Sequence, residues 1–251
     1  MEPAKRFTGR AADYEKYRTR YPAQAIALLR EHCGLRPEDL VADVGAGTGM
    51  VAELFLENGN EVIAVEPNAD MRAVCERLPA KYDRLRIVDA AAEATGLGDA
   101  SIDMVAVGRA FQWFDRERAL AEFKRILKPN GWLVLLTSRR ATDGSELARE
   151  YEAILMEHGT DYAKVRGGYR LFEDLKLFEN VETFDVTIPG EQWLTLEEFL
   201  GQTQSYSVTP LPGDAKYEGM QRALREFFAK WSVDGVLGLE TVCQVVGWRM
   251  P

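Results

Sequence analysis

Three glycines at alternate positions, Gly45, Gly47 and Gly49, close the stretch "VADVGAGTGM" at residues 41–50, with the acid Asp43 just ahead of them. A tight glycine turn after a short apolar run exposes backbone amides, which suits a phosphate, a nicotinamide dinucleotide or a sulfonium cofactor. Spacing narrows the choice. The dinucleotide fingerprint has a glycine at its sixth position, where helix and strand pack closely, and counted from Gly45 that position is Met50. The phosphate loop ends in Gly-Lys-Ser/Thr, and this stretch holds no lysine. Asp43 suits a ligand bearing an amino group and a positive charge better than a pyrophosphate. Glu66 ends a second apolar run about 20 residues past the turn, where an acid accepts hydrogen bonds from ribose hydroxyls. It identifies an adenosine ligand and by itself fits NAD equally well.

A second group of polar side chains lies in "VGRAFQWFD" at residues 107–115. Gln112 and Trp113 can both donate hydrogen bonds, and two neutral donors orient a carboxylate or hydroxyl oxygen without taking its proton. Phe111, Trp113 and Phe114 also fit a core, and Asp115 fits a helix cap. The histidines are His32 and His158. His32 falls in the last turn of an expected helix, where a cation complements the dipole, and His158 lies in a segment expected to overhang the ligand. Cys33, Cys75 and Cys243 are scattered, with no CxxC or HExxH spacing, so we expect reduced core thiols and no metal site. A net charge of −9 with dispersed arginines argues against a nucleic-acid partner. The N-terminus has charges throughout, and the longest apolar run, "WLVLL", is too short to span a bilayer. We expect a cytoplasmic protein with no membrane partner and a small-molecule substrate; the oligomeric state is not legible.

These groups need strands that end where they sit. "DLVADVG", "EVIAVEP", "RLRIVDA", "IDMVAVG" and "WLVLLTS" read as buried strands. Between them "TGMVAELFLENGN", "NADMRAVCERL" with Asn68 as cap, and "RERALAEFKRIL" with Asp115 as cap read as helices, and "KPNG" as the turn into the fifth strand. This alternation over residues 40–138 predicts a doubly wound parallel sheet, covered on both faces, that binds ligands at the strand carboxyl ends. A helix precedes it, from Pro22 to a C-terminal cap at Gly34. After it, residues 143–158 and "LFEDLKLF" read as helices and "VETFDVTI" as a strand. Residues 195–231 hold amphipathic helices, and "LETVCQVVGWRM" is β-rich. We expect these later insertions to form a substrate lid.

Four separated motifs within about residues 38–138 resemble the class I S-adenosylmethionine-dependent methyltransferases, in particular the small-molecule "type 11" family. The resemblance implies an α/β, Rossmann-like fold: a doubly wound, mostly parallel seven-stranded sheet with helical lid insertions. It implies S-adenosyl-L-methionine as cofactor. In "VADVGAGTG", Gly45, Ala46 and Gly47 would approach its methionyl part while Asp43 helps to hold its amino group. In "VIAVEPNADM", Glu66 would take both ribose hydroxyls, and Pro67 and Met71 would flank the adenine, although Met71 is a type more often found in a core. "VDAAAEATGLGDASIDMV" departs from the family's G-D-A-E group, reading Ala90-Ala91-Ala92-Glu93. The acid for the adenine amine is missing at Ala91, so Asp89 or the amides near Ala92 and Glu93 would substitute. Gly108, ending the fourth strand, would border the cofactor.

The N-terminal Y-x-x-Y-R segment would fold over the cofactor, with Tyr14 and Tyr17 covering it and Arg18 pairing the methionyl carboxylate. The same residues also read as a solvated helix with tyrosines on the sheet. One methyltransferase domain over residues 1–251 follows: cofactor-covering helices in 1–34, a cofactor-binding core in 38–138, and remaining strands plus lid in 139–251. Arg109, Arg166, Tyr169 and Arg170 would meet an anionic substrate or simply be solvated. Methyl transfer is an in-line displacement in which the enzyme aligns the nucleophile and excludes water. A carboxylate is already ionised at neutral pH and needs no base; with no histidine beside Gln112 and Trp113, a carboxylate oxygen is the expected acceptor. An NAD-linked oxidoreductase and a non-catalytic S-adenosylmethionine-binding regulatory subunit remain the alternatives.

Overall fold

The structure, a computed structural model, describes residues 9–142, 144–169, 178 and 180–251, without the side chains of 166–169. Helices α1 (Ala11–Tyr17) and α2 (Gln24–Cys33) lead into β1 (Leu40–Val44), and left-handed Gly34 ends α2 as expected. Then α3 (Met50–Asn58), β2 (Glu61–Val65), α4 (Ala69–Cys75), β3 (Leu85–Val88) and β4 (Ile102–Gly108) follow. A short turn of 3-10 helix at Phe111–Trp113 precedes α5 (Arg116–Ile126) and β5 (Leu127–Arg140). The caps are local and legible: Asn68 accepts from the Met71 amide and Asp115 from the Arg118 amide. Beyond β5 come α6 (Glu146–His158), α7 (Tyr162–Tyr169), β6 (Thr183–Leu194), α8 (Leu196–Gln204), α9 (Tyr217–Trp231) and β7 (Leu237–Arg249).

The seven strands form one sheet in the order β3-β2-β1-β4-β5-β7-β6. β1 to β5 pair in parallel, and β7 runs antiparallel between β5 and β6. Winding starts at β1, proceeds outward to β3 and returns to β4, so the order reverses between β1 and β4. A crevice opens at their carboxyl ends, where open α/β sheets bind ligands.

Near-continuous apolar strands suit a sheet buried on both faces, because successive side chains point to opposite sides. Val41, Ala64, Met104 and Val134 pack on one face with α2 and α3, while Ala42, Ile63, Val105 and Leu133 pack on the other with α5. A third cluster lies apart: Tyr151, Leu155, Phe199, Leu224, Phe227 and Phe228 join α6, α8 and α9, and Trp113 packs against it. The insertions after β5 thus have their own apolar core. No helix among the described residues is long and apolar enough to cross a membrane.

Three elements differ from expectation, the first being α7 (Tyr162–Tyr169), a helix not expected from the sequence. "KPNG" lies inside β5 rather than before it. The register steps from Ile102↔Leu127 to Met104↔Trp132, and Asn130 with φ of 66° absorbs the extra residues as a bulge. β6 runs on through Pro189 and Gly190 to Leu194, pairing with β7 throughout. An edge strand tolerates proline because only one side of its backbone is paired. The helix expected at "LFEDLKLF" lies outside the described residues except for Phe178.

Candidate functional site

Register brings the strand ends together: Asp43 pairs with Ala64 on one side and Ala106 on the other. The turn after β1 is anchored to the next strand, since the amides of Gly45 and Ala46 donate to the Val65 carbonyl at 2.8 and 3.1 Å. Gly45 has φ of 72°, and a Cβ there would stand 2.6 Å from the Ala110 Cβ and 3.0 Å from Phe114. The glycine turn and the segment after β4 therefore touch, and only glycine permits it.

Asp43 is fully buried. Its Oδ2 accepts from the Ala52 amide at 2.9 Å, while Oδ1 has no protein partner. Burial, with a contribution from nearby Glu66, pushes its carboxyl up to about 7. The Thr48 hydroxyl in the same turn is also buried without a partner. Buried polar atoms left unpaired are uncommon, and each leaves room for a partner from outside the protein. Here the missing group at Asp43 is a hydrogen-bond donor, as an ammonium is.

Glu66 sits at the end of β2 and is buried. Its Oε2 accepts from the Gly47 amide at 2.8 Å and its Oε1 from the Asn68 amide at 2.7 Å. Burial raises its pKa against the pull of these two amides and of Arg72. The acid thus holds the glycine turn in place, and each oxygen retains a lone pair for a ligand hydroxyl. Arg72 donates to the Glu66 carbonyl and to Asp89, both at 2.8 Å, so Asp89, one expected substitute for the missing adenine partner, is tied to Arg72. Glu93 accepts from the Asp115 amide at 2.8 Å, Ala92 is buried, and Pro67 is exposed. Met71 is buried against Ala11 and Val74, with Tyr14 alongside, under α1. Its methyl would be 3.4 Å from a Cβ at Gly47, so it belongs both to a small core and to the wall of the turn.

On the opposite side, a Cβ on Gly108 would lie 2.4 Å from Val51 and 2.8 Å from the Tyr21 hydroxyl. Gln112 donates from Nε2 to the Arg109 carbonyl at 2.8 Å, and its Oε1 is buried without a partner. The reverse orientation would set two oxygens against each other, so the atom Gln112 has to offer is an acceptor. The sequence expectation of two donors changes here. Arg109, expected to be solvated or substrate-facing, is buried. Arg18 lies over the Tyr14 ring at 5.0 Å and the Tyr206 ring at 4.6 Å, and donates to the Ser205 hydroxyl at 3.4 Å. Tyr17 instead turns toward α8, where its hydroxyl donates to Glu197 at 2.8 Å and its ring covers Gly201. The Arg166 and Tyr169 side chains and Arg170 lie outside the described residues.

One cluster escaped sequence reasoning. At the end of β5, Arg140 pairs with Glu152 of α6, donates to the Tyr162 hydroxyl at 3.1 Å and lies 4.4 Å over the Tyr151 ring. Tyr162 in turn donates to Glu152 at 2.7 Å. The available signal was an acid on the apolar face of its helix: Glu152 follows Ala148 by four residues and precedes Leu155 by three, and all are buried. Arg10 was missed as well; it reaches the Gln204 carbonyl at 2.7 Å and Thr209 at 2.9 Å, fastening the start of α1 to the loop after α8.

Residues 42–135 match the family described as "Methyltransferase domain". An uncharacterized methyltransferase of Schizosaccharomyces pombe is 32% identical over 202 residues, covering 80% of this chain and 73% of that protein. A malonyl-[acyl-carrier protein] O-methyltransferase of Enterobacter lignolyticus is 31% identical over 147 residues, covering 58% of this chain and 57% of that protein. The chain spans about half the length of other curated relatives, 49% for Mycobacterium methyltransferases. A solved structure from Anaeromyxobacter dehalogenans, provisionally described as a type II methyltransferase, superposes with a TM-score of 0.64 at 20% identity, covering 93% of this chain and 97% of that one. That likeness establishes the fold.

Proposed function

The chain belongs to the class I S-adenosylmethionine-dependent methyltransferases of the type 11 family, and from that membership we propose that it methylates a carboxylate oxygen of a small molecule. The NAD-linked alternative falls with the family assignment. Bound at the carboxyl ends of β1 and β2, S-adenosyl-L-methionine supplies an electrophilic methyl with its own leaving group. Asp43 takes the cofactor's amino group on its unpartnered oxygen, and Glu66 takes the ribose hydroxyls. Gly45, Ala46 and Gly47 line the methionyl part. Pro67 and Met71 flank the adenine, with the amides near Ala92 and Glu93 at its amine, and Gly108 closes the far wall. Tyr14 and Arg18 cover the site, Arg18 meeting the methionyl carboxylate. Gln112 and Trp113 align the acceptor.

The observation that carries the choice of acceptor is the placement of the histidines away from Gln112 and the burial of the tyrosines near the strand ends. Burial pushes the pKa values of Tyr21, Tyr151 and Tyr162 upward, so they stay neutral and do not serve as bases near pH 7. His32 stacks on Phe184 at 4.8 Å, and His158 faces Gly219 of α9. Neither histidine stands beside Gln112, which supports an acceptor that arrives already ionised. The Enterobacter relative is named for oxygen methylation of a malonyl group, which fits this reading. Free Cys33, Cys75 and Cys243 suit the reducing cytoplasm, where we place the reaction.

Methyl-labelled cofactor incubated with a pool of small carboxylic acids tests the proposal. Label should appear in products from which mild base releases methanol, the signature of a methyl ester. Label held in a base-stable bond would assign a hydroxyl, sulfur, nitrogen or carbon acceptor instead. No transfer to any metabolite pool, with S-adenosylhomocysteine still bound, would point to the regulatory subunit.

A further inference from the structure

Arg109 has φ of 54°, a left-handed backbone that a long side chain rarely adopts. Such strain persists where surrounding contacts over-determine the residue, and Arg109 is surrounded. Its Nε donates to the Tyr21 hydroxyl, one Nη to the Ser138 carbonyl and the other Nη to the Thr19 carbonyl, each at 3.2 Å. The Met50 sulfur lies 3.5 Å from the same guanidinium. Its partners come from three places: the segment joining α1 to α2, the end of β5, and the start of α3 just past the glycine turn. The guanidinium also lies over the Tyr21 ring at 5.0 Å and over the Tyr14 ring at 5.6 Å. Tyr14 is the same ring that carries Arg18.

We propose that Arg109 is a positioning residue for cofactor binding: it clasps the N-terminal segment onto the sheet end and so sets Tyr14 and Arg18 over the methionyl part of the cofactor. It acts through those residues. A planar fork is required, because three acceptors in different directions are met by donors held in fixed geometry, which the single ammonium of lysine does not reproduce. The proposal rests on the reading of α1 as the cofactor cover.

The test uses the full chain, with S-adenosylhomocysteine and 5′-methylthioadenosine, which lacks the amino-acid part, as calorimetric probes. Arg109→Lys is expected to weaken S-adenosylhomocysteine binding about tenfold or more, which is about 1.4 kcal/mol. Methylthioadenosine binding should stay within about twofold, and amide hydrogen exchange over residues 11–21 should accelerate. Tyr21→Phe, which removes one partner and leaves the ring, should show the same pattern more weakly and covers the case in which the arginine variant does not fold. Exchange and S-adenosylhomocysteine affinity unchanged in both variants would overturn the clasp. Arg18→Met separates the underlying reading: undiminished S-adenosylhomocysteine affinity there removes α1 from the cofactor site, while the exchange arm still decides whether Arg109 anchors the segment.

Discussion

Asp43 is a fully buried carboxyl whose environment departs far from that of a free side chain. An aspartate normally titrates near 3.8, and burial moves Asp43 to about 7 in the fold. The folded state therefore holds this proton more tightly than the unfolded one. Its contribution to stability is full below about pH 4 and declines as pH rises through 7. A bound ammonium reverses the preference by favouring the ionised carboxylate. We predict that S-adenosylhomocysteine affinity rises between pH 6 and 8 with release of a proton, read by calorimetry in buffers of different ionisation enthalpy. Asp43→Asn should flatten that profile and weaken binding at least tenfold, yet raise the urea midpoint at pH 8. A lower midpoint there would show that the carboxylate is not a destabilising group. Asp43 and Glu66 could be singled out in the sequence because each sits at the end of its own apolar run. The direction of the Gln112 amide was not, because it is set by the Arg109 carbonyl, whose place depends on the left-handed turn after β4.

Among the elements, a buried polar link joins the helices inserted after β5 to the sheet. Arg140 and Glu152 are 7% and 8% exposed as side chains, and the pair ties the end of β5 to α6. Removing one partner of a buried pair leaves a charge without compensation, which typically costs about 3–5 kcal/mol, whereas an apolar replacement of both is far milder. Glu152→Ala should therefore lose about that much stability in chemical denaturation, and Arg140→Met with Glu152→Leu should recover most of it. A small loss in the single variant would mean that water reaches Arg140. α1 is held to α8 by more exposed links, with Lys16 paired to Glu197 and Gln202 donating to the Tyr17 carbonyl. The helices themselves could be read from their periodicity and caps, since both are local properties. Their partners could not: Arg10 and Thr209 are 199 residues apart, and no pattern within one helix refers to the other.

At the scale of the whole molecule, cofactor and fold are linked by mass action. S-adenosylhomocysteine at about a hundredfold excess over its Kd should stabilise the protein by about 2.7 kcal/mol. For a chain of this size that raises Tm by roughly 5–10 °C, and NAD should leave it unchanged. An NAD-induced shift of similar size would contradict the cofactor assignment. The class of ligand was already determined by the sequence, because the glycine turn, Asp43 and Glu66 lie within two adjacent strands. Parallel pairing places those strand ends side by side whatever the rest of the chain does. The arrangement over the strand ends was decided only in three dimensions. Tyr21, Arg109 and Ser138 come from segments far apart in the chain and meet because β4 and β5 are neighbours and the segment after α1 reaches their ends, while Tyr206 meets Arg18 where α8 lies beside α1. Short-range periodicity encodes elements and their caps, while such meetings depend on which elements become neighbours, a property of the packed chain as a whole.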